Sequence, residues 1–575
     1  MTGTARAVQR WLGAALCLAI LIATQSAPSE ARSVNAAKID PVLLQEVLAD
    51  PRGEFDVIVR GTPADSRGKS RSGDRLEKVS KAITSRGGKT HYGLGIIGGG
   101  VATINGRQLL ELLSDNDVDY VFKNVTFRAT WDPALDASKA ATPGILATNA
   151  PQAWQQYGTC GRGVGVAVVD SGVYPHPDLA GRIVAAVDFT SASVTNTTPV
   201  NVAGDPGGHG THVAGLVAGN GTASGGAFTG TAPCANVVDV RVIDANGVSN
   251  TGIILRGLQW VLANRSTYNI KVTNMSFGAT QSGSYKTDPL ATAAQVLNFA
   301  GIAVVVSAGN SGPTVETVTS PGADPFVITV GAIDDNGTAT LADDLMATFS
   351  SRGRTKYDRL NKPDLVAPGR KMVSALAPGS TIPTMYPDRL VTAPGALVAE
   401  YMRLSGTSMA APVVSGIVAL MVERNSSLTP GQIKSRLKKN TTPIAYGGPQ
   451  DKGAGLVNAL KAVASVDPDK EYSEGRVTDS FAKDMRRFVQ GQPIPWRDLF
   501  HNGGVDSRNV TWGNITWENI TWDNITWDNI TWENFTWENI TWETITWETI
   551  TWQSSAQQSL DALSGSGSGF AGMVD

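Results

Sequence analysis

The sequence predicts an α/β protein: a parallel sheet with helices on both faces, preceded by a small α+β unit of split βαβ order and followed by a short β-prone pentapeptide repeat. Three observations carry this. From residue 163 onward, near-continuous apolar runs (164–169, 237–243, 272–275, 303–307 and 326–330) alternate with helical segments, notably 251–264 and 289–299, as in strands buried on both faces. Ahead of them, 54–125 reads strand, helix, strand, strand, helix, strand. Behind them, Asn-Ile-Thr-Trp-Glu recurs with small variations across 509–553. At 575 residues, with 62 glycines and 17% charged residues, the chain has room for two or more domains and the composition of a loop-rich globular protein. A formal net charge of -3 argues against a nucleic-acid partner.

At the N-terminus, Arg6 and Arg10 flank the start of an uncharged stretch, 11–23, followed by Ser29-Glu30-Ala31 with small residues where a signal peptidase reads. The run is shorter than the roughly 20 apolar residues of a bilayer span. Residues 1–31 are therefore expected to be a cleaved signal peptide, and the protein to be secreted or held at the cell surface. Cys17 lies inside that run without the preceding small residue of a lipoprotein signal, which leaves Cys160 and Cys234 after maturation. The α+β unit spans 52–128. Its first strand is 54–61, and Asp74 is expected to cap a helix with Leu76, Val79 and Ile83 on one face. Glycine-bounded strands at 91–97 and 101–105, a Leu-rich helix at 106–113 and a strand at 118–125 complete it. Residues 130–144, rich in Ala, Ser, Thr, Pro and Asp, read as a flexible segment. The large α/β domain is expected over 140–466. Gly161-x-Gly163-x-Gly165 resembles a nucleotide-binding glycine run, but it precedes its strand, and phosphate binding requires it after.

In open parallel sheets, functional residues gather at the carboxyl ends of strands; Asp170, Asn274 and Asn310 lie at or just past such ends. Gly406-Thr-Ser-Met-Ala-Ala-Pro runs into the apolar segment 413–422. A helix starting near Ser408 would place that hydroxyl at the positive end of a helix dipole, and Pro412 is read as belonging to its first turn. Taken alone, Gly-Thr-Ser is equally the composition of an ordinary turn and N-cap. The chain has five histidines. His91 and His501 fall outside this domain, and His176, in Pro-His-Pro, reads as a surface turn. His209 and His212 are three apart on a helical segment. That spacing also suits a metal pair, but no acidic residue lies within the turn to complete a zinc site. Glycines flank His209 and leave room around its ring, whereas His212 reads as a packed structural residue.

The order Asp170, His209, Ser408, in Val168-Val-Asp-Ser-Gly, His209-Gly-Thr-His-Val-Ala-Gly and Gly406-Thr-Ser-Met-Ala-Ala-Pro, resembles the three signatures of the subtilisin-like serine proteases. Asn274-Met-Ser-Phe-Gly, Ser307-Ala-Gly-Asn-Ser-Gly, Phe349-Ser-Ser-Arg-Gly, Lys362-Pro-Asp-Leu-Val-Ala-Pro-Gly and Gly453-Ala-Gly-Leu-Val-Asn-Ala match further. The insertion between Gly369 and Leu404 is most like the AprX-type branch. The resemblance implies a subtilisin-like catalytic domain whose triad is Asp170, His209 and Ser408, with Asn310 in the oxyanion hole. It also implies that Ser276, Phe277 and Gly278 form a substrate-binding edge and that Ser307, Ala308 and Gly309 wall the first pocket. The α+β unit becomes an inhibitory propeptide, with self-cleavage inside 130–144. Because the strands after Cys160 and Cys234 neighbour each other in this fold family, a Cys160–Cys234 disulfide is expected. No cofactor is required. The loop 220–230 does not match the family's calcium loop, and structural calcium is left open.

Expected partners are protein or peptide substrates and the chain's own propeptide. After a linker, 467–508, Trp recurs at every fifth position from Trp512 to Trp552. This repeat reads as a β-coil for docking or self-association, or as aromatic platforms for a cell-surface glycan; 554–575 is a flexible tail. A rival function is a surface-binding or assembly protein whose Trp-rich tail is the functional part.

Overall fold

Runs of valine, isoleucine and alanine broken by glycine build a central sheet. Its strands lie in the order Leu345–Met346, Ile328–Asp334, Ala303–Ser307, Ile270–Met275, Gly165–Asp170, Asn236–Arg241 and Ile183–Asp188. An eighth strand, Leu365–Pro368, also pairs with Ile328–Asp334. All run parallel except Leu345–Met346. The structure, a computed structural model, describes residues 35–62, 72–129, 144–190, 204–338, 340–445 and 447–465. The expected signal peptide, most of the 130–144 segment, the linker with His501, the Trp repeat and the tail lie outside the described residues.

Along Gly165–Asp170 the side chains alternate between two cores. Val166 and Val168 join the cluster around the Thr407–Arg424 helix, while Ala167 and Val169 join the cluster beneath Thr251–Asn264 and Pro289–Phe299. Helices therefore cover both faces. Strand limits depart from the apolar runs where polar groups capture the backbone first. Val242 and Ile243 donate their N–H groups to the Asp170 carbonyl (2.8 and 3.1 Å), so the strand expected to reach 243 ends at Arg241. Asp324 Oδ1 accepts from Phe326 and Val327 N–H (2.7 and 3.4 Å), and the strand expected from 326 begins at Ile328. Residues 369–404 form the Met372–Ala375, Leu390–Val391 and Tyr401–Leu404 sheet and the short Thr381–Met385 helix.

The N-terminal unit is an antiparallel sheet in the order Lys89–Leu94, Gly99–Asn105, Glu54–Gly61, Val118–Lys123. Its helix spans Ser72–Thr84, so Asp74 lies inside the first turn and is not the cap; the backbone enters the helix before the apolar stripe begins. A further helix, Pro41–Ala49, precedes the expected boundary at 52. Asp40 caps it by accepting from Val42 and Leu43 N–H, and Pro41 occupies its first position. That Asp-Pro start was legible in the sequence. One sheet face packs its own helices through Val57, Val59, Ile83, Ile104 and Leu109. The other packs Tyr92, Leu94, Ile96 and Ile97 against Ile254, Leu255, Leu258 and Leu290 of the large domain. The Arg256 guanidinium lies 4.9 Å from the Tyr92 ring centre, and Gln259 Oε1 accepts from Ile96 N–H (3.1 Å).

Cys160 and Cys234, which shortly precede the neighbouring parallel strands Gly165–Asp170 and Asn236–Arg241, are joined by a disulfide closing a sequence separation of 74. Behind the sheet, Asp364 Oδ2 meets Lys362 Nζ at 2.8 Å and Lys434 Nζ at 3.0 Å, all three side chains at most 1% exposed. Burial alone would raise the Asp364 pKa, but Lys362, Lys434 and Lys438 outweigh it and hold the carboxyl far below its ordinary range. The stability it lends is therefore present above the ordinary carboxylate range and lost only under strong acid.

Two consequences can be measured. Removing the disulfide by Cys160→Ser is expected to cost roughly 4–5 kcal/mol in the chain-entropy account, and protein that has lost residues 1–31 should show no titratable thiol when denatured without reductant. Asp364→Asn removes the carboxylate that both buried ammonium groups meet directly and should cost about 3–5 kcal/mol in denaturant unfolding; a loss below about 1 kcal/mol would show that other groups carry the lysines.

Candidate active site

Asp170 is the last residue of its strand and is fully buried. Its Oδ1 accepts from Ser171 N–H (2.8 Å) and from His209 Nδ1–H (2.7 Å). A carboxylate can only accept, so this bond fixes the neutral imidazole with its lone pair on Nε2. Nε2 is buried and makes no hydrogen bond. Burial depresses the His209 imidazolium, but the charge and hydrogen bond of Asp170, with Asp205 beyond, outweigh it and hold the pKa above its ordinary value.

His209 opens the His209–Ala218 helix, whose preceding residue, Gly208, has φ 92 and no capping side chain. The capping work falls to Asp205, which the sequence reading missed. Its carboxylate accepts from Gly207, Gly208 and Thr211 N–H (3.1, 2.7 and 2.8 Å), Thr211 Oγ1 (2.7 Å) and Ser171 Oγ (2.8 Å). It thereby ties the residue after Asp170 to the turn before His209. Its position four residues ahead of the histidine was the available signal. His212, one turn further on, donates Nε2–H to Met372 O and Met402 O (both 3.1 Å), and burial, then the neighbouring His209, push its pKa down to about 3. His176 does not sit in a surface turn: it is 2% exposed, its Nε2 meets Glu400 O at 2.9 Å, and its Nδ1 accepts from Asp178 N–H at 3.1 Å. The insertion covers a turn that would otherwise face solvent.

Ser408 is the second residue of the Thr407–Arg424 helix. Pro412 is not in the first turn, as the sequence suggested, but inside the helix. It has no N–H for the carbonyl four residues back, which is that of Ser408. Ser276 Oγ–H donates to that carbonyl instead (2.9 Å), while Ser408 Oγ–H donates to Ser276 O (2.9 Å). Asn274 at the strand end donates to Ser276 Oγ (2.9 Å) and accepts from Ser415 Oγ (2.9 Å), fixing the turn to the helix from both sides.

Asn310 Oδ1 accepts from Thr407 N–H and Oγ1–H (both 2.9 Å), and Thr407 Oγ1 accepts from Gly309 N–H (3.1 Å). The amide orientation follows from chemistry, because the Thr407 N–H can only donate. Asn310 Nδ2 is thereby left buried and without a partner beside Ser408.

Phe277–Gly278 is one edge of a three-stranded sheet whose middle strand is Thr126–Ala129 of the N-terminal unit and whose other edge is Val248–Asn250. The pairs are Ala129 with Phe277, Arg128 with Gly278, and Phe127 with Ser249. Phe127 meets Phe277 edge-on, ring centres 6.0 Å apart. The resemblance names residues 276–278 as an extended edge, but the second edge was not read, since three residues, Val-Ser-Asn, carry no readable alternation. Ser307 Oγ–H reaches Phe277 O (3.4 Å) and Thr319 N–H donates to Ala308 O (3.0 Å), so residues 307–309 lie beside the 276–278 edge. The arrangement can deliver a base, a hydroxyl and a free amide donor to an extended chain held by its backbone.

Residues 161–471 match the Subtilase family. Serine protease AprX of Bacillus subtilis (strain 168) is 39% identical over 372 residues, 63% of this chain and 78% of that protein. Subtilisin E of the same organism is 31% identical over 388 residues, 67% of this chain and 86% of that protein. Among solved structures, fervidolysin from Fervidobacterium pennivorans, a keratinolytic enzyme related to subtilisin, shares the fold with a TM-score of 0.55 at 24% identity. That match covers 72% of this chain and 62% of fervidolysin, so the chain spans less than two thirds of that protein. With more than half of its length matching the family and its residues clustered as described, the chain belongs to the subtilase family and is a serine endopeptidase of the AprX type.

Proposed function

We propose that Asp170, His209 and Ser408 are the catalytic triad of a secreted, self-processing endopeptidase. The observation that carries this reading is the His209 ring: one nitrogen is anchored on a buried carboxylate, the other is buried and unpaired, and the helix that His209 opens shares one core with the helix that starts at Thr407-Ser408. Ser408 Oγ–H donates to Ser276 O in the resting site; on this reading the hydroxyl turns to His209 Nε2, which takes its proton as Oγ attacks the peptide carbonyl, and the imidazolium is stabilised by Asp170. The negative charge moves to the carbonyl oxygen, where the Asn310 amide and the Ser408 N–H receive it. The tetrahedral intermediate collapses as His209 returns the proton to the leaving amine, and water repeats the sequence on the acyl-enzyme.

The N-terminal unit acts on this reading as propeptide and inhibitor. Its strand Thr126–Ala129 uses the backbone edges that a substrate would use, and it runs antiparallel to Phe277–Gly278, toward Ser276 and Ser408. The self-cleavage that frees it falls in 130–144, beyond that strand. Backbone pairing supplies affinity without reading most side chains, so unfolded proteins of broad sequence are substrates. Export, to the medium or the cell surface, is supported by the signal-like N-terminus and by the disulfide, which persists in oxidising surroundings.

Two experiments test this. The ring must be neutral to act as base, and its pKa lies above the ordinary 6.5; kcat/KM on a peptide substrate should therefore rise with pH through a midpoint above 6.5. In Asp170→Asn turnover should fall by roughly four orders of magnitude, and the midpoint should move down, since burial then acts without the carboxylate. A wild-type midpoint below 6.5 would show that burial outweighs Asp170 at the ring, and an Asp170→Asn variant of unchanged turnover would contradict the assignment. In the second, Ser408→Ala should accumulate as an exported precursor that neither cuts itself nor hydrolyses casein; a cut within 130–144 in that variant, with no other protease present, would show that processing is not its own.

A further inference from the structure

The turn that follows the Ile328–Asp334 strand carries the carboxylates of Asp334, Asp335, Asp343 and Asp344, and they fall into two classes. Asp334 pairs with Arg370 through one oxygen and accepts from Asn336 N–H (3.1 Å) through the other. The Thr338 hydroxyl is shared by both oxygens of Asp343 (3.0 and 3.2 Å). Asp335 and Asp344 are each 1% exposed. Asp335 Oδ1 accepts from Gly337 N–H (3.3 Å), whereas its Oδ2 and both oxygens of Asp344 are buried and meet no donor among the described residues. Strand register brings the two together. Ile333 stands opposite Met346 and Asp334 opposite Leu345 in an antiparallel pair, so the next step of that register sets Asp335 against Asp344. Opposite residues of such a pair have Cβ atoms roughly 4.5–5.5 Å apart, and like charges there repel. Burial first, and neighbouring carboxylates after it, push Asp335 up to about 7 and Asp344 to about 6. Facing carboxylates short of donors are costly to bury unless a proton or a cation lies between them.

We propose that Asp335 and Asp344 bind a calcium ion. One shared proton would serve two oxygens and leave the third orphaned, whereas calcium takes six to eight oxygen ligands and can accept all three. Magnesium sheds its water reluctantly, and these oxygens are buried. Among the described residues, no three Asp, Glu, His or Cys side chains are grouped to hold a metal by themselves. Backbone carbonyls and water therefore complete the shell, and the affinity belongs to the weak class of extracellular modules, with a Kd on the order of 0.1–1 mM. This place is separate from loop 220–230, where the sequence left calcium open. The ion would steady the chain that leaves the turn and reaches the active site. Beyond Asp344, Phe349 O accepts from Gly312 N–H (2.8 Å), Ser351 N–H donates to Gly309 O (2.9 Å) and Ser351 Oγ accepts from Ser311 N–H (3.1 Å), which brackets Asn310.

The test uses the full chain carrying Ser408→Ala as parent, so that heating does not end in self-digestion. The quantity read is the rise in Tm between a chelator and about 5 mM calcium chloride, a concentration above the expected Kd. The parent should rise by about 2–4 °C, and adding Asp335→Asn or Asp344→Asn should remove most of that rise. In chelator both variants should melt no lower than the parent, because the amide relieves like-charge repulsion; this separates loss of a ligand from general damage. No rise in the parent, or an equal rise in the parent and both variants, would overturn the proposal. Variants that melt well below the parent in chelator would overturn it too, since the carboxylates would then be holding something other than the ion. A parent indifferent to calcium that gains stability as pH falls from about 8 to about 6, with the gain absent from both variants, would assign the pair a shared proton instead.

Discussion

Ser276 and Ser408 bond to each other in both directions, side chain to carbonyl each way, and the geometry of the whole site hangs on that pair. One partner lies beyond the end of a parallel strand, the other at the start of a buried helix, and the two come from segments more than a hundred residues apart. The latch exists because Pro412 cannot bond the Ser408 carbonyl. A residue with an N–H at that position would offer the carbonyl an ordinary helical partner and remove the reason for Ser276 to hold it. Proline inside a helix normally costs stability; here the freed acceptor sets the distance between the substrate edge and the nucleophile.

Around the latch, two polar groups are each oriented by a neighbour that leaves one buried atom unbonded. Asp170 takes one ring nitrogen of His209 and leaves the other. Thr407 takes the oxygen of the Asn310 amide and leaves its nitrogen. Asp205, raised in pKa by its burial despite many donors, organises the turn before His209 without touching the ring. A buried donor or acceptor without a partner is costly in an ordinary core. Here the two orphaned nitrogens, His209 Nε2 and Asn310 Nδ2, are the ones that the proposed reaction would use.

Much of this was legible in the sequence, and the exceptions have physical causes. The sheet showed because strands buried on both faces need unbroken apolar runs, and the Thr251–Asn264 and Pro289–Phe299 helices showed because Asn250 and Asp288 cap them. The carriers of carboxylate, imidazole and hydroxyl stood in compact motifs. What could not be read was whatever depends on distant segments meeting. The Val248–Asn250 edge is three residues long. His176 is buried by an insertion more than two hundred residues away. Pro412 looked like a helix start because a local rule was applied to a residue whose role is set by Ser276.

The disulfide has a consequence beyond the entropy of the unfolded chain. The segment it closes, 160–234, contains both Asp170 and His209. A single peptide bond broken anywhere inside that segment leaves two pieces that remain covalently one molecule, still paired through the parallel strands on either side of the bridge. A nick made in a surface loop between the two cysteines, by another copy of the enzyme for instance, is then a scar rather than a loss of the carboxylate and the imidazole from the site.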